Sequence, residues 1–137
     1  MDNKINWIIH FVANDAACDC CGKVDRPFPE FMCNAHTHGI EEFYNHPDFQ
    51  IVLAMDPNIM GYILNELGIR VQNGAKFKAG DEITDIIANG YVVRLVEAKE
   101  CGRTVLRVLL PDINNHFPGD VDCEYPYNQQ TEFNTEI

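Results

Sequence analysis

Positive charge is scarce in this chain: ten Lys and Arg stand against twenty-one Asp and Glu, a formal net charge of −11. Such a field repels a phosphate backbone and argues against nucleic acid as a partner. The lack of any basic tract also leaves nothing to address the chain to an anionic membrane. Long apolar runs are missing too. The stretch Ile5-Asn6-Trp7-Ile8-Ile9-His10-Phe11-Val12-Ala13 is broken by Asn6 and His10, and it falls well short of the roughly 20 apolar residues that span a bilayer. It does not have the form of a secretory leader either, so the expectation is a cytoplasmic protein without a membrane partner. There are no internal repeats and no low-complexity tract. Gly74, Gly80 and Gly90 lie too far apart to form a phosphate-cradling loop. What is present is an apolar fraction of 46% in 137 residues, enough for one domain with a core of its own.

Alternation over residues 5–13 predicts a strand with Ile5, Trp7, Ile9 and Phe11 on one face and Ile8 and Val12 on the other. Residues 14–30 carry Asn14, Asp15, Gly22, Pro27 and Pro29 without an apolar period and read as a loop. Phe31 to His38 can form a second strand, and 39–48 a polar connection closed by His46-Pro47. Phe49 to Met55 is a near-continuous apolar run suited to a central strand. Asp56-Pro57 then supplies an N-cap carboxylate and a first-turn proline. Met60, Ile63, Leu64, Leu67 and Val71 follow as one stripe, which predicts a helix over 57–72 stopped by Asn73-Gly74. Gly68 weakens its last turn by about 1 kcal/mol relative to Ala.

Residues 83–87 suit a short strand or a turn of helix, and Tyr91–Ala98 with Arg103–Leu110 suit a hairpin joined through Cys101-Gly102. Residues 111–137 have no periodicity and are expected either to pack on the domain as an irregular tail or to be partly disordered. The predicted class is α+β: a mainly antiparallel, strongly curved sheet of about five or six strands with one main helix, in a single domain over 1–137. Such a sheet leaves an edge, and a homodimer through that edge is the expected assembly.

Several landmarks recur in a distinctive order: Trp7; Thr37-His38-Gly39-Ile40; His46-Pro47-Asp48-Phe49; Leu64-Asn65; Gly74, Phe77 and Gly80; Pro111-Asp112; and Phe117-Pro118-Gly119-Asp120. From about Trp7 to Gln130 this order resembles the bacterial domain of unknown function 4262 family. That family has no established activity, so the resemblance implies a fold unit and assigns no catalytic residue or cofactor. The chain departs from the family pattern where His36 replaces an aromatic residue, His38 an apolar one and Gly119 a Trp.

Chemistry concentrates in two short stretches, Cys18-Asp19-Cys20-Cys21 and Cys33-Asn34-Ala35-His36-Thr37-His38. Zinc takes four soft or borderline ligands, usually paired in sequence with a spacer between the pairs. The predicted metal set is therefore Cys18, Cys20 or Cys21 with His36 and His38, the two histidines projecting from one strand face. Cys33 falls on the opposite face. The same thiols can instead be packing groups. They can also be a redox pair, Cys18 with Cys20 or Cys21, although Asp15, Asp19 and Asp25 would oppose thiolate formation. A nucleophile built from Cys33 with His36, His38 or His46 lacks any orienting residue in the sequence. Thr37, His38, Gly39 and His46 flank one loop and are candidates for a ligand pocket. The functional expectation is a non-catalytic binding or interaction module, with zinc in a structural role. The alternative is an enzyme with a small-molecule pocket near Thr37–Gly39 and His46, metal-dependent or thiol-redox.

Overall fold

The computed structural model describes residues 5–13, 33–88, 90–100 and 102–131. Six strands form one sheet: β1 (Ile8–Ala13), β2 (Cys33–His38), β3 (Phe49–Leu53), β4 (Glu82–Ile83), β5 (Val93–Glu100) and β6 (Arg103–Leu109). Their spatial order is β1-β2-β3-β6-β5-β4. Two helices accompany them, α1 (Ile40–Tyr44) and α2 (Pro57–Gln72), and the class is α+β. The predicted curl and mainly antiparallel pairing are corrected: the sheet is mixed and not strongly curled, with β3 and β6 parallel at its centre and β1 and β4 at opposite edges. The physical cause is α2. A helical crossover after β3 returns the chain to the end where β3 began, and parallel neighbours need such a crossover. The β4-β5-β6 meander then brings β6 alongside β3 in the same direction.

Asp56 caps α2 by accepting from Asn58 N–H at 2.9 Å, with Pro57 in the first turn. The stripe of Met60, Ile63, Leu64, Leu67 and Val71 is buried against Ala35, Phe49, Ile51, Leu53, Leu95, Leu106 and Val108 of the sheet. Each such side chain contributes roughly 1.5–3 kcal/mol through removal from water.

Gly68 has a packing reason the sequence does not reveal. A Cβ there would stand 2.5 Å from Trp7 Cζ2 and 2.7 Å from its Cε2, and Trp7 is held in place by its indole N–H donating to Asn65 Oδ1 at 2.9 Å. Gly68→Ala should therefore lower the urea midpoint by the equivalent of about 1–3 kcal/mol through overpacking, where helix propensity alone would raise it by about 1 kcal/mol. A stabilised variant would contradict this packing.

Helix α1 replaces the predicted polar connection over 40–44. Five residues are too few to show a period, and its cap comes from outside the helix: Asp48 accepts from Ile40 N–H at 3.0 Å and from Glu41 N–H at 3.3 Å. Beyond β6 the chain runs in turns organised by a second buried carboxylate. Asp112 accepts from the N–H groups of Asn114 (2.9 Å), His116 (2.9 Å) and Glu124 (2.9 Å). Burial pulls its pKa upward, but the N–H groups of His116, Glu124 and Asn114 and the nearby imidazole outweigh it and hold the carboxyl below its ordinary 3.8. A carboxylate with a lowered folded-state pKa contributes stability that is complete above its unfolded value and is lost as pH falls through the folded one. The urea midpoint should accordingly drop more steeply below pH 3.8 in the native chain than in Asp112→Asn. Equal slopes would remove Asp112 from the acid response.

Candidate metal centre

The two faces of the sheet are chemically unlike. On the α2 face, Ala35 belongs to the core and Cys33 and Ile9 pack against it. Side chains alternate along a strand, so Asn34, His36 and His38 of β2, and His10 of β1, project from the other face. The antiparallel register sets His10 opposite His36 and Ile8 opposite His38.

Three imidazoles thus meet. Ring centroids are 5.6 Å apart for His10 and His36, 4.4 Å for His10 and His38, and 4.8 Å for His36 and His38. One ring nitrogen from each lies within 4.8 Å of the others. His36 is fully buried. His10 Nδ1, shut off from solvent, has no hydrogen-bond partner among the described residues, and Nε2 of His36 and of His38 are equally sealed from solvent. Zinc–nitrogen bonds of about 2.0–2.1 Å hold tetrahedral ligands roughly 3.4 Å apart, so closing the rings on one ion takes at most about 1.4 Å.

The same row continues across the sheet. His36 is in register with Gln50 on β3, and Gln50 with Arg107 on β6. Hydrogen bonds join them: Arg107 Nε donates to Gln50 Oε1 at 2.8 Å, Gln50 Nε2 donates to Asn34 Oδ1 at 3.0 Å, and His36 Nδ1 lies 3.0 Å from that same oxygen. Arg107 also donates to the Gln130 carbonyl at 3.0 Å, and the Gln130 amide bridges Leu110 N–H and C=O at 2.8 and 2.7 Å. Desolvation by burial lowers the Arg107 pKa to about 10.

Of the predicted metal set, the structure brings together His36 and His38. Cys18, Cys20 and Cys21 lie outside the described residues. His10 was not in the predicted set, yet it completes the cluster. Its strand face was legible from the alternation with Ile8 and Val12. The register that pairs it with His36 was not, because no period spans 14–30. Cys33 lies on the core side of β2, away from His36 and His38, which removes the nucleophile pairing with either. The buried thiol of Cys123 donates to His116 C=O at 3.4 Å, and burial first, then Asp112, Asp120 and Glu124, raises its pKa.

Of the pocket candidates, Thr37 is bonded to Asp48, His46 to Phe77 and Pro47, and His38 belongs to the histidine cluster. Thr37 Oγ1 donates to Asp48 Oδ1 at 2.7 Å and accepts from Phe49 N–H at 3.0 Å. Arg103 donates to Asp48 Oδ2 at 2.9 Å and to Thr37 C=O at 2.6 Å. His46 Nε2 accepts from Phe77 N–H at 2.9 Å, so its Nδ1 carries the proton and donates to Pro47 C=O at 2.9 Å. Gly39, at φ 124°, gives room to a second backbone: a Cβ would stand 2.8 Å from Asn6 O. Hollows of about 370 and 360 Å³ flank Arg103, one bordered by Glu41, His46 and Pro47, the other by His38, Gly39 and Glu42. A separate groove of about 470 Å³ lies between α2 and the segment after β6, lined by Met55, Ile59, Tyr62, Tyr91 and Ile113 among others. On β5, Arg94 pairs with Glu82 at 2.9 Å and covers the Phe117 ring at 4.2 Å.

A family described as Domain of unknown function (DUF4262) matches residues 7–104, well over half of the chain. The chain belongs to DUF4262. No curated protein and no solved structure matches it. The DUF4262 span contains His10, Asn34, His36, His38 and Gln50, together with the Trp7–Asn65 and Asp48–Arg103 contacts; Arg107 and Gln130 lie beyond it. Among the described residues no helix is long and apolar enough to cross a membrane.

Proposed function

We propose that this protein is a metal-binding domain in which His10, His36 and His38 hold one divalent transition ion, with zinc the leading candidate. The observation that carries the reading is the convergence of three ring nitrogens within 4.8 Å on the sheet face away from α2. Neutral imidazole is a borderline ligand suited to zinc, copper or nickel, whereas calcium and magnesium require oxygen donors. One cation can take a lone pair from each of the three rings, of which His36 is buried and His10 and His38 half-buried. Coordination would also tie edge strand β1 to β2, a role for zinc in binding or folding rather than in chemistry.

Three protein ligands leave a tetrahedral position open. The same ligand count carries a second reading: with water in that position, zinc supplies a hydroxide near neutral pH and the domain is a hydrolytic enzyme. Cobalt(II) substitution separates the cases. A thiolate from Cys18, Cys20 or Cys21 gives a near-ultraviolet sulfur-to-cobalt band and supports the structural role, while its absence supports bound water. The binding itself is tested by zinc titration against a chromophoric chelator. The expected result is one zinc per chain, and affinity no greater than that of a chain with all three histidines replaced by Ala would overturn the proposal.

A further inference from the structure

We propose that Gln50 and Arg107 are positioning residues for the metal centre: they fix His36 in the tautomer that presents Nε2 to the ion. The inference rests on the reading of the three histidines as ligands, and it deepens that reading by explaining what selects the ligating nitrogen.

The argument follows the direction of each hydrogen bond. A guanidinium only donates, so Gln50 must turn Oε1 toward Arg107 Nε, 2.8 Å away. That choice leaves Gln50 Nε2 facing Asn34 at 3.0 Å, and an amide N–H₂ donor there requires Asn34 to offer Oδ1. The same Oδ1 is the atom 3.0 Å from His36 Nδ1. Facing an acceptor, Nδ1 must carry the proton, and the lone pair of a neutral ring then resides on Nε2. Metal-bound histidines are usually oriented in this way, by an acceptor on the second ring nitrogen. The orienting signal here comes from a buried arginine two strands away, in register with Gln50. The register row His10, His36, Gln50 and Arg107 is therefore one functional line across four strands.

The decisive variant is Gln50→Glu, which keeps the shape and reverses the polarity. Beside Arg107 the new carboxylate stays ionised and accepts, but it can no longer donate to Asn34. Asn34 then turns its amide nitrogen toward both neighbours, His36 Nδ1 becomes an acceptor, and the proton moves to Nε2, where it blocks the ion. Nitrogen-15 NMR of the metal-free protein should show His36 protonated at Nδ1 in the native chain and at Nε2 in the variant. Zinc affinity should fall about 10–100-fold, while the metal-free urea midpoint holds or rises with the new Arg107–Glu ion pair.

Asn34→Asp is the companion variant. It accepts from both neighbours without reversal, so it should keep the native tautomer and bind zinc at least as tightly. A native His36 protonated at Nε2 overturns the relay. So does Gln50→Glu with unchanged tautomer and affinity, or Asn34→Asp with weakened binding. A native chain that has the Nδ1–H tautomer yet binds no zinc overturns the ligand reading instead, so the two failures are distinguishable.

Discussion

Replacing His36 with Ala should remove most of the zinc-dependent stabilisation. Structural zinc sites bind with roughly 10–16 kcal/mol shared over four ligands, about 2.5–4 kcal/mol each. Loss of one imidazole should then weaken binding on the order of a hundred- to a thousandfold. Zinc at a hundred times the native dissociation constant stabilises the native chain by about 2.7 kcal/mol, but the variant by less than about 0.5 kcal/mol. A Tm rise on the order of 10 °C in the native protein should shrink to a degree or two. His10→Ala and His38→Ala should behave alike, because the proposed site gives each ring one bond to the same ion. His116→Ala is the control: that ring lies against Asp112 in the segment after β6, and its loss should leave zinc stabilisation intact. If His36→Ala keeps the full zinc-dependent shift, His36 is not a ligand.

The largest effect on the fold itself is expected at Asp48. This carboxylate is 1% exposed and accepts from the Thr37 hydroxyl, the Ile40 and Glu41 N–H groups and Arg103. Asp48→Ala strands all four donors at once, two of them at the start of α1. Removing one partner of a buried ion pair costs about 3–5 kcal/mol. Arg103 is 22% exposed and keeps its bond to Thr37 C=O, so the loss should fall at the low end, about 3 kcal/mol, still a large part of the roughly 5–15 kcal/mol that holds a domain of this size together. Asp48→Asn retains one acceptor oxygen for Thr37 and Ile40 but sets an amide N–H₂ against Arg103, so it should lose less. Urea unfolding decides the matter. A loss below about 1 kcal/mol in Asp48→Ala would mean that solvent replaces these bonds and that the motif is not a fold determinant.

These two sites show what the sequence could disclose. The bounds of α2 were legible because Asp56-Pro57 and Asn73 punctuate a regular stripe, and β3 because its run is apolar apart from Gln50. Pairing His36 with His38 needed only the two-residue period of a strand. The centre of the sheet was hidden, since parallel or antiparallel neighbours depend on where α2 returns the chain and no local residue states that. The role of His10 was hidden for a similar reason: cross-strand register is a tertiary property. Thr37, Gly39 and His46 attracted attention as polar and glycine residues around one loop. Their bonds to Asp48 and Phe77, and the approach of Asn6 to Gly39, account for those residue types through the backbone they hold. Several residues that carried the family resemblance, Trp7, Thr37, Gly39, Asp48 and Asn65 among them, hold the fold together. The three histidines lie on the opposite side of the sheet from Trp7 and α2.

X-ray absorption at the zinc edge, on protein loaded with one equivalent of the ion, tests the central claim most directly. Three imidazole nitrogens at about 2.0–2.1 Å are expected, falling to two in His10→Ala. A first shell without imidazole scattering, or one unchanged by that substitution, would contradict a centre built from His10, His36 and His38.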